Sequence, residues 1–225
     1  MTFSIAARCA QTGMFAIAVS SSSPCVAARC AHARAGVGVV ATQNITDPRL
    51  GPRGLDLLAQ GLSADEAMTR LAADAPHFAY RQVVVLDRQG RSAAHSGSKT
   101  LGTHRVVRAP DVAAAGNLLS APEVVDRMVE TFLARSQAHL GDRILAAMAA
   151  AVSAGGEEGP VHSAGMVLVD KVEWPVADLR IDWSDADPIA ALAALWQLWR
   201  PQMNAYVARA LDPAAAPAYG VPGDR

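Results

Sequence analysis

The amino-terminal stretch MTFSIAARCAQTGMFAIAV, residues 1–19, decides which type of fold the chain can form. Residues 3–8 and 14–19 are short apolar runs with the composition of β-strands, and QTG at residues 11–13 has the composition of a turn. Two such runs joined by a short turn that contains glycine predict a β-hairpin. A hydroxyl residue, Thr2, stands at the start of the first strand.

Segments with strand and helix patterns alternate along the rest of the chain. Further strands are predicted at Ala35–Thr42, Arg81–Asp87, Arg91–His95, Val106–Arg108, Val112–Leu118, Ser163–Asp170 and Ala177–Asp182. Two consecutive helices are predicted within residues 51–73, and the capping-box pair Ser63 and Glu66 marks the start of the second. Further helices are predicted at Glu123–Ala134 and Leu140–Ser153, and a last helical segment from Pro188 to Ala210 is broken at Pro201. This order predicts an α+β or layered α/β protein with one domain over residues 1–211 and a flexible tail, residues 212–225.

Composition excludes several classes of protein. The 225 residues are 51% hydrophobic, which is enough for a sizeable core, and the net charge of -1 gives no basic surface for nucleic acid or an anionic membrane. Three cysteines are an odd number and favour a reducing compartment over a disulfide framework. No apolar run approaches the roughly 20 residues of a membrane helix, and a signal-peptide pattern is poor. We therefore expect a cytoplasmic protein with neither nucleic-acid nor membrane partners.

Thr2 is the residue with the most specific chemical potential. After removal of Met1, an amino-terminal threonine supplies both parts of an acyl-transfer catalyst, with its hydroxyl as nucleophile and its α-amine as base. The ordinary pKa of an α-amine is about 7.7 to 8.0, so a useful fraction is unprotonated at neutral pH. Such a catalyst also needs a neighbouring strand and glycine-rich backbone that can form an oxyanion pocket. The alternative is an ordinary second residue, since many proteins begin Met-Thr without catalytic consequence.

Four further polar residues are candidates for contacts with a substrate, and each has a structural alternative. Ser21 belongs to the SSSS run at residues 20–23, which can position a substrate or form a turn. Gln43 and Asn44 end a glycine-rich strand, where an amide can donate to an oxyanion or cap the following loop. Asn117 lies within an apolar stretch, where burial demands hydrogen-bond partners and a structural turn explains the residue nearly as well.

Three histidines are candidates for hydrogen bonding to a substrate or for proton transfer: His95, His104 and His162. Their spacing from one another and from the cysteines is unlike that of zinc ligands, so we expect no metal and no cofactor. The segment GGEEG at residues 155–159 has the glycines of a phosphate loop. Its two glutamates would repel phosphate, and we therefore reject that function.

Six motifs occur in order along the chain: MTFSIAAR (1–8), ARAGVGVVATQN (33–44), GPRGLDLL (51–58), RQVVVLDRQGRSAAHSG (81–97), AGNLLS (115–120) and DLRID (178–182). Together they resemble a widespread bacterial family, domain-of-unknown-function family 1028, which is usually grouped with the amino-terminal-nucleophile (Ntn) hydrolases. The resemblance extends from the first residue to the helix that ends near Trp199. It implies an α+β fold, a four-layer αββα sandwich in which helices flank two antiparallel sheets.

The resemblance also implies a set of site residues. Thr2 matches the family's amino-terminal threonine and becomes the nucleophile after removal of Met1, while Gln43 and Asn117 fall in family-like motifs. The sequence departs from the family pattern at residues 20–33 and 155–165, and we expect these two segments to line the pocket. Glu158 is the candidate for substrate binding from the second segment.

Two functions are consistent with these features. The first is an Ntn amidohydrolase that cleaves the C–N amide bond of a small metabolite, with Thr2 as nucleophile and Asn117 assisting catalysis. The second is a non-catalytic metabolite-binding or structural protein with the same fold, in which Met1 is retained.

For either function we expect a homo-oligomer, because a homodimer is the commonest closed assembly. An apolar stripe at Leu192, Trp196 and Trp199 would serve as its interface if it were exposed.

Overall fold

The computed structural model describes residues 2–221, and this part of the chain contains ten strands and seven α-helices. The strands are β1 Thr2–Arg8, β2 Phe15–Ser21, β3 Ala31–Arg34, β4 Gly38–Asn44, β5 Arg81–Asp87, β6 Ser92–Ser96, β7 Arg105–Ala109, β8 Val112–Asn117, β9 Ser163–Val169 and β10 Ala177–Ile181. The helices are α1 Ala27–Cys30, α2 Leu50–Ala59, α3 Ala64–Asp74, α4 Glu123–Ala134, α5 Leu140–Ser153, α6 Pro188–Trp199 and α7 Met203–Leu211.

The strands form two antiparallel sheets. The larger sheet has the order β10-β9-β2-β1-β8-β7, and the smaller one has the order β3-β4-β5-β6. The predicted amino-terminal hairpin is confirmed, since β1 pairs with β2 in a register that sets Phe3 opposite Ser20. On its other side β1 pairs with β8, with Thr2 opposite Asn117. The first strand of the chain therefore lies in the middle of the larger sheet.

Helices cover the outer face of each sheet. Helices α4, α5 and α6 pack on the larger sheet around a core that includes Ile5, Met128, Met148 and Trp196. Helices α2 and α3 pack on the smaller sheet around Leu71 and neighbouring apolar residues. A third apolar layer lies between the two sheets. This is the four-layer αββα sandwich that the family resemblance implies, so the predicted fold class is confirmed.

Some predicted elements have the predicted bounds, most of the others differ by one or two residues at an end, and one strand begins three residues late. Helices α4 and α5 have the predicted bounds, and the capping box at α3 is present, with Ser63 Oγ accepting from the backbone N–H of Glu66. The strand predicted at Ala35–Thr42 begins only at Gly38, because residues 35–37 form the turn from β3 into β4. Gly36 occupies the left-handed region there, with φ of 69°, which accounts for glycine in this turn.

The apolar stripe on α6 faces the core and not solvent. Leu192 and Trp196 are fully buried, and the indole Nε1 of Trp196 donates to Asp142 Oδ1 over 2.8 Å. This face fastens α6 to α5, so the stripe does not form the oligomer interface considered above.

The segment that follows α7 is described as far as Val221. The guanidinium of Arg209 donates to the carbonyl oxygens of Pro217 and Ala218 over 3.0 and 2.9 Å, and it stacks on the ring of Tyr219. The predicted flexible tail extends to residue 225, and its residues 222–225 lie outside the described residues, as does Met1. Within the described chain, none of the helices has the length and apolar character needed to cross a bilayer.

Candidate active site at the start of the first strand

The layer between the two sheets is apolar over most of its length and becomes polar at one end. Its apolar part includes Ala6, Ile17, Ala41, Val84 and Ala115. Because side chains alternate along a strand, the same face of each strand continues to a polar residue at this end. These residues are also buried: Thr2 and Ser4 on β1, Ser21 on β2, Gln43 on β4, Gln82 on β5 and Asn117 on β8. We call these six residues the strand-end cluster.

Thr2 lies between two strand ends of the larger sheet. Its side chain is 6% exposed, and its Oγ1 donates to Ser21 Oγ over 3.4 Å. On the other side Asn117 is its paired residue, so the two side chains project from neighbouring strands on the same face. The hydroxyl predicted as nucleophile is thus held in a buried polar environment beside the carboxamide predicted to assist it.

Carboxamides of both sheets form a connected network within the strand-end cluster. Ser4 Oγ donates to Gln43 Oε1 over 2.7 Å, and Gln43 Nε2 donates to Gln82 Oε1 over 2.7 Å. Asn117 Nδ2 donates to the same Gln82 oxygen over 3.0 Å. Gln82 Nε2 donates to Ser96 Oγ and to the carbonyl oxygen of Gly116, both at 3.0 Å.

The carbonyl of Gly116 fixes the orientation of every amide in this network. A carbonyl only accepts, so Gln82 must turn its Nε2 toward it and its Oε1 toward Gln43 and Asn117. Both of these amides then donate to Gln82, and Gln43 presents its own oxygen to Ser4. Asn117 is left with a buried Oδ1 that has no hydrogen-bond partner among the described residues. Its Nδ2 has two N–H groups, and the bond to Gln82 uses only one of them within the described part of the chain.

Glu157 supplies a buried carboxyl group next to the same strand ends. It is 5% exposed, and its Oε2 accepts from the backbone N–H of Ser22 over 3.3 Å. Its Oε1 is buried and lacks a hydrogen-bond partner within residues 2–221. Burial raises the pKa of Glu157 from 4.5 to about 7, and the positive charge of the chain's amino terminus acts in the opposite direction. A carboxyl with this pKa exchanges its proton near neutral pH.

The two segments expected to line the pocket meet beside this site. Ser163 Oγ donates to the carbonyl oxygen of Ser23 over 2.6 Å, and the backbone N–H of His162 donates to the carbonyl oxygen of Ser21 over 2.8 Å. Residues 20–33 and 155–165 therefore border the strand-end cluster together. A surface cavity of about 350 Å³ is lined by residues within 152–161, Glu157 among them, and by residues 185–188. The second segment thus contributes to the lining of this cavity, whereas residues 20–33 do not.

The structure brings four of the predicted site residues together: Thr2, Ser21, Gln43 and Asn117. Asn44 lies one residue beyond them, and its side chain fastens two loops, since Nδ2 donates to Tyr80 O over 2.6 Å and Oδ1 accepts from Leu101 N over 3.1 Å. Its amide therefore has the loop-capping role that was the alternative for this residue.

The remaining predicted residues direct their side chains away from the strand-end cluster. His95 stacks on Phe78 on the helix-covered face of the smaller sheet, with ring centroids 4.3 Å apart. His162 stacks on Trp183, also at 4.3 Å. His104 and Glu158 are exposed.

Three residues of the site are absent from the prediction: Ser4, Gln82 and Glu157. Two of them carry a signal that could have been used. Ser4 follows Thr2 with the period of a strand, and Gln82 interrupts the apolar face that Val84 and Leu86 continue. For Glu157 the sequence offers two adjacent glutamates, and only the docking of their loop determines which one is buried.

Among the described residues, no group of three or more His, Cys, Asp or Glu side chains is placed so that it could hold a metal ion.

Comparisons with known proteins identify the family. The model of a family of unknown function, DUF1028, matches residues 2–192. The crystal structure of a protein from Silicibacter pomeroyi that is described by the same family model matches with a TM-score of 0.81 and 31% sequence identity, covering 88% of each chain. The chain therefore belongs to the DUF1028 family, which confirms the resemblance.

A second solved structure has weaker similarity. Anbu (ancestral β-subunit) from Yersinia bercovieri matches with a TM-score of 0.40 and 10% identity, over 90% of this chain and 96% of that chain. No protein with a curated description matches the chain.

Proposed function

We propose that the protein is an Ntn amidohydrolase that cleaves the C–N amide bond of a small metabolite, with Thr2 as nucleophile after removal of Met1. The observation that carries this proposal is the burial of the Thr2 hydroxyl at the start of β1, between Ser21 and Asn117. A nucleophile at a chain end needs neighbouring groups that are already in place, and both flanking strands provide them.

The proposed reaction has two half-reactions. In the first, the Thr2 α-amine takes the hydroxyl proton while Oγ1 forms a bond to the carbonyl carbon of the substrate. The resulting ammonium returns this proton to the leaving nitrogen as the C–N bond breaks, which leaves an ester on Thr2. In the second, water gives a proton to the same amine and attacks the ester, and the acid product leaves as Thr2 Oγ1 regains its proton.

Asn117 supports an amide as the substrate. Among residues 2–221 its Oδ1 accepts no hydrogen bond and one N–H of Nδ2 makes none, and the carboxamide is oriented by its bond to Gln82. This pair complements the N–H and C=O of another amide. We assign the remaining N–H to the oxyanion that forms on the substrate carbonyl, where one such donor contributes about 10²-fold or more in rate.

Removal of Met1 and the role of Thr2 are tested together. We expect the intact mass of the purified protein to lack one methionine. In a screen of small amides with detection of released ammonia or amine, Thr2→Ala should abolish hydrolysis with an unchanged circular dichroism spectrum. Thr2→Ser, which keeps a hydroxyl and the α-amine, should retain measurable activity.

Two results would overturn this proposal. One is full hydrolytic activity in a protein that retains Met1, and the other is undiminished activity of Thr2→Ala. A chain that keeps Met1, binds metabolites and hydrolyses none would be the non-catalytic protein considered above. The homodimer and the cytoplasmic location stay predictions of the sequence, and the molar mass measured by light scattering tests the first of them.

A further inference from the structure

The loop that carries Glu157 is fastened to the strand end on one side of Thr2. The backbone N–H groups of Ser120 and Glu158 donate to the carbonyl oxygens of Gly156 and Leu118, both over 3.1 Å, and Leu119 forms a β-bridge with Glu157. These contacts involve the residues that directly follow Asn117 at the end of β8.

The carboxyl of Glu157 reaches the strand end on the other side. Its Oε2 accepts from Ser22 N, and Ser22 directly follows Ser21 at the end of β2. Ser21 and Asn117 flank Thr2. The loop and side chain of Glu157 are therefore bonded to the residues that follow both neighbours of Thr2. This places Glu157 beside the start of β1, against the residues that follow the ends of β2 and β8.

A carboxyl at this depth requires a partner of opposite charge or a proton. No salt bridge to Glu157 occurs among residues 2–221, and its Oε1 is buried without a hydrogen-bond partner there. The ionisable groups of the adjoining segments have other partners. Arg29 donates to Ser23 Oγ over 2.6 Å, and His162 Nδ1 lies 2.9 Å from the carbonyl oxygen of Ser184.

We propose that Glu157 is a positioning residue whose carboxylate forms an ion pair with the α-ammonium of Thr2 and orients the α-amine beside Oγ1. This inference rests on the proposed function, because the α-amine belongs to Thr2 only once Met1 has been removed. An ammonium has three N–H donors, and Glu157 Oε1 is a buried oxygen with no hydrogen-bond partner within residues 2–221.

In the proposed reaction Glu157 neither gains nor loses a bond. The hydroxyl proton moves to the α-amine, and the carboxylate stabilises the positive charge that forms there. The proton then leaves with the departing nitrogen, and the α-amine is neutral again. Glu157 therefore acts through the amine, as a carboxylate acts through an imidazole in a hydrolase triad.

The test measures the pKa of the Thr2 α-amine by competitive labelling with acetic anhydride across pH, followed by mass spectrometry of the amino-terminal peptide. The chains compared are wild type, Glu157→Gln and Glu158→Gln, each released from a cleavable leader so that Thr2 is the first residue. Glu158 is the matched control, because it is the adjacent and exposed carboxylate.

We expect Glu157→Gln to lower the α-amine pKa by about one unit or more, since an opposite charge at contact distance shifts a pKa by roughly 1 to 3 units. Glu158→Gln should leave it unchanged. Equal pKa values in wild type and Glu157→Gln would overturn the inference. Should Glu157→Gln fail to fold, the wild type alone decides: its α-amine must titrate above the ordinary range of about 7.7 to 8.0, and a value at or below that range refutes the ion pair.

The labelling requires no turnover, so its result is separate from that of the proposed function. A lowered pKa in Glu157→Gln together with full activity of Thr2→Ala would retain the ion pair and reject the nucleophile. An unchanged pKa together with an inactive Thr2→Ala would retain the nucleophile and reject the role of Glu157.

Discussion

Two adjacent glutamates show how strongly the fold controls a single charge. Glu158 is exposed, whereas Glu157 is 5% exposed and has a pKa raised by burial to about 7. The two residues have the same chemistry and almost the same local sequence. The difference arises from the loop at residues 155–158, whose backbone bonds to Leu118 and Ser120 turn one carboxyl inward.

The burial of Glu157 gives a pH dependence of stability that can be measured without a substrate. Its pKa is higher in the folded chain, about 7, than the ordinary 4.5, so the folded state binds more protons between these values. The stability that this proton contributes is complete below pH 4.5 and is lost as the pH rises to about 7. The shift corresponds to roughly 3 kcal/mol at most.

We therefore expect the free energy of unfolding to fall between pH 5 and pH 8 by more in the parent chain than in Glu157→Gln, which cannot titrate. The measurement is urea denaturation of chains with a short amino-terminal extension, in which Thr2 has no α-amine that could pair with the carboxylate. Glu158→Gln serves as control and should keep the slope of the parent chain. Parallel pH profiles for the parent chain and Glu157→Gln would contradict the assignment.

For individual residues, the sequence predicts some members of the site and not others. Thr2, Ser21, Gln43 and Asn117 could be selected because hydroxyl or amide groups at the ends of apolar strands are conspicuous. The histidines are candidates through their chemistry alone. Their side chains contact Phe78, Trp183 and backbone carbonyls because the faces on which they project depend on long-range packing.

Individual helices are the elements that local sequence determines most completely. At α3 the Ser63 hydroxyl accepts from the backbone N–H of Glu66, and the Glu66 carboxylate accepts from the backbone N–H of Ser63 over 2.7 Å. These bonds satisfy two donors that the start of a helix would otherwise leave unpaired. They also lower the pKa of Glu66, chiefly through the hydrogen bond from the Ser63 side chain.

Ser63→Ala should lower the free energy of unfolding by about 1 kcal/mol, as loss of an N-cap hydroxyl usually does. Ser98→Ala, at an exposed serine outside any helix or strand, should change it by less than about 0.5 kcal/mol. The denaturation midpoints of the two variants and the parent chain provide the comparison. Equal midpoints for Ser63→Ala and Ser98→Ala would show that the capping box contributes nothing to the stability of the fold.

Two short elements, β3 and α1, cannot be predicted from the sequence, for a physical reason. Strand β3 has four residues, AHAR, and α1 has four, AARC, so neither is long enough to show a period of 2 or 3.6. β3 exists because it pairs with β4 along Ala31–Arg34, at the edge of the smaller sheet. Long-range pairing of this kind leaves no mark on a window of the sequence.

At the scale of the whole molecule, the candidate site depends on the contact between the two sheets. Thr2, Ser21 and Asn117 belong to the larger sheet, whereas Gln43 and Gln82 belong to the smaller one. The hydrogen bonds that orient Asn117 cross from one sheet to the other, through Gln82. The apolar layer between the sheets therefore sets the spacing on which the amide network relies.

Two buried leucines allow this dependence to be tested, because they belong to different layers. Leu86 lies between the sheets, and Leu71 lies between α3 and the smaller sheet; both are 0% exposed. Each substitution by alanine should cost about 2 to 5 kcal/mol through lost burial and the cavity that remains. Only Leu86→Ala creates a cavity in the apolar layer between the sheets, which continues into the carboxamide network. The side-chain amide protons of Gln82 should therefore exchange with solvent faster in this variant than in Leu71→Ala. Equal exchange, measured by NMR at matched stability, would show that the network is held by its own hydrogen bonds and not by the packing of the two sheets.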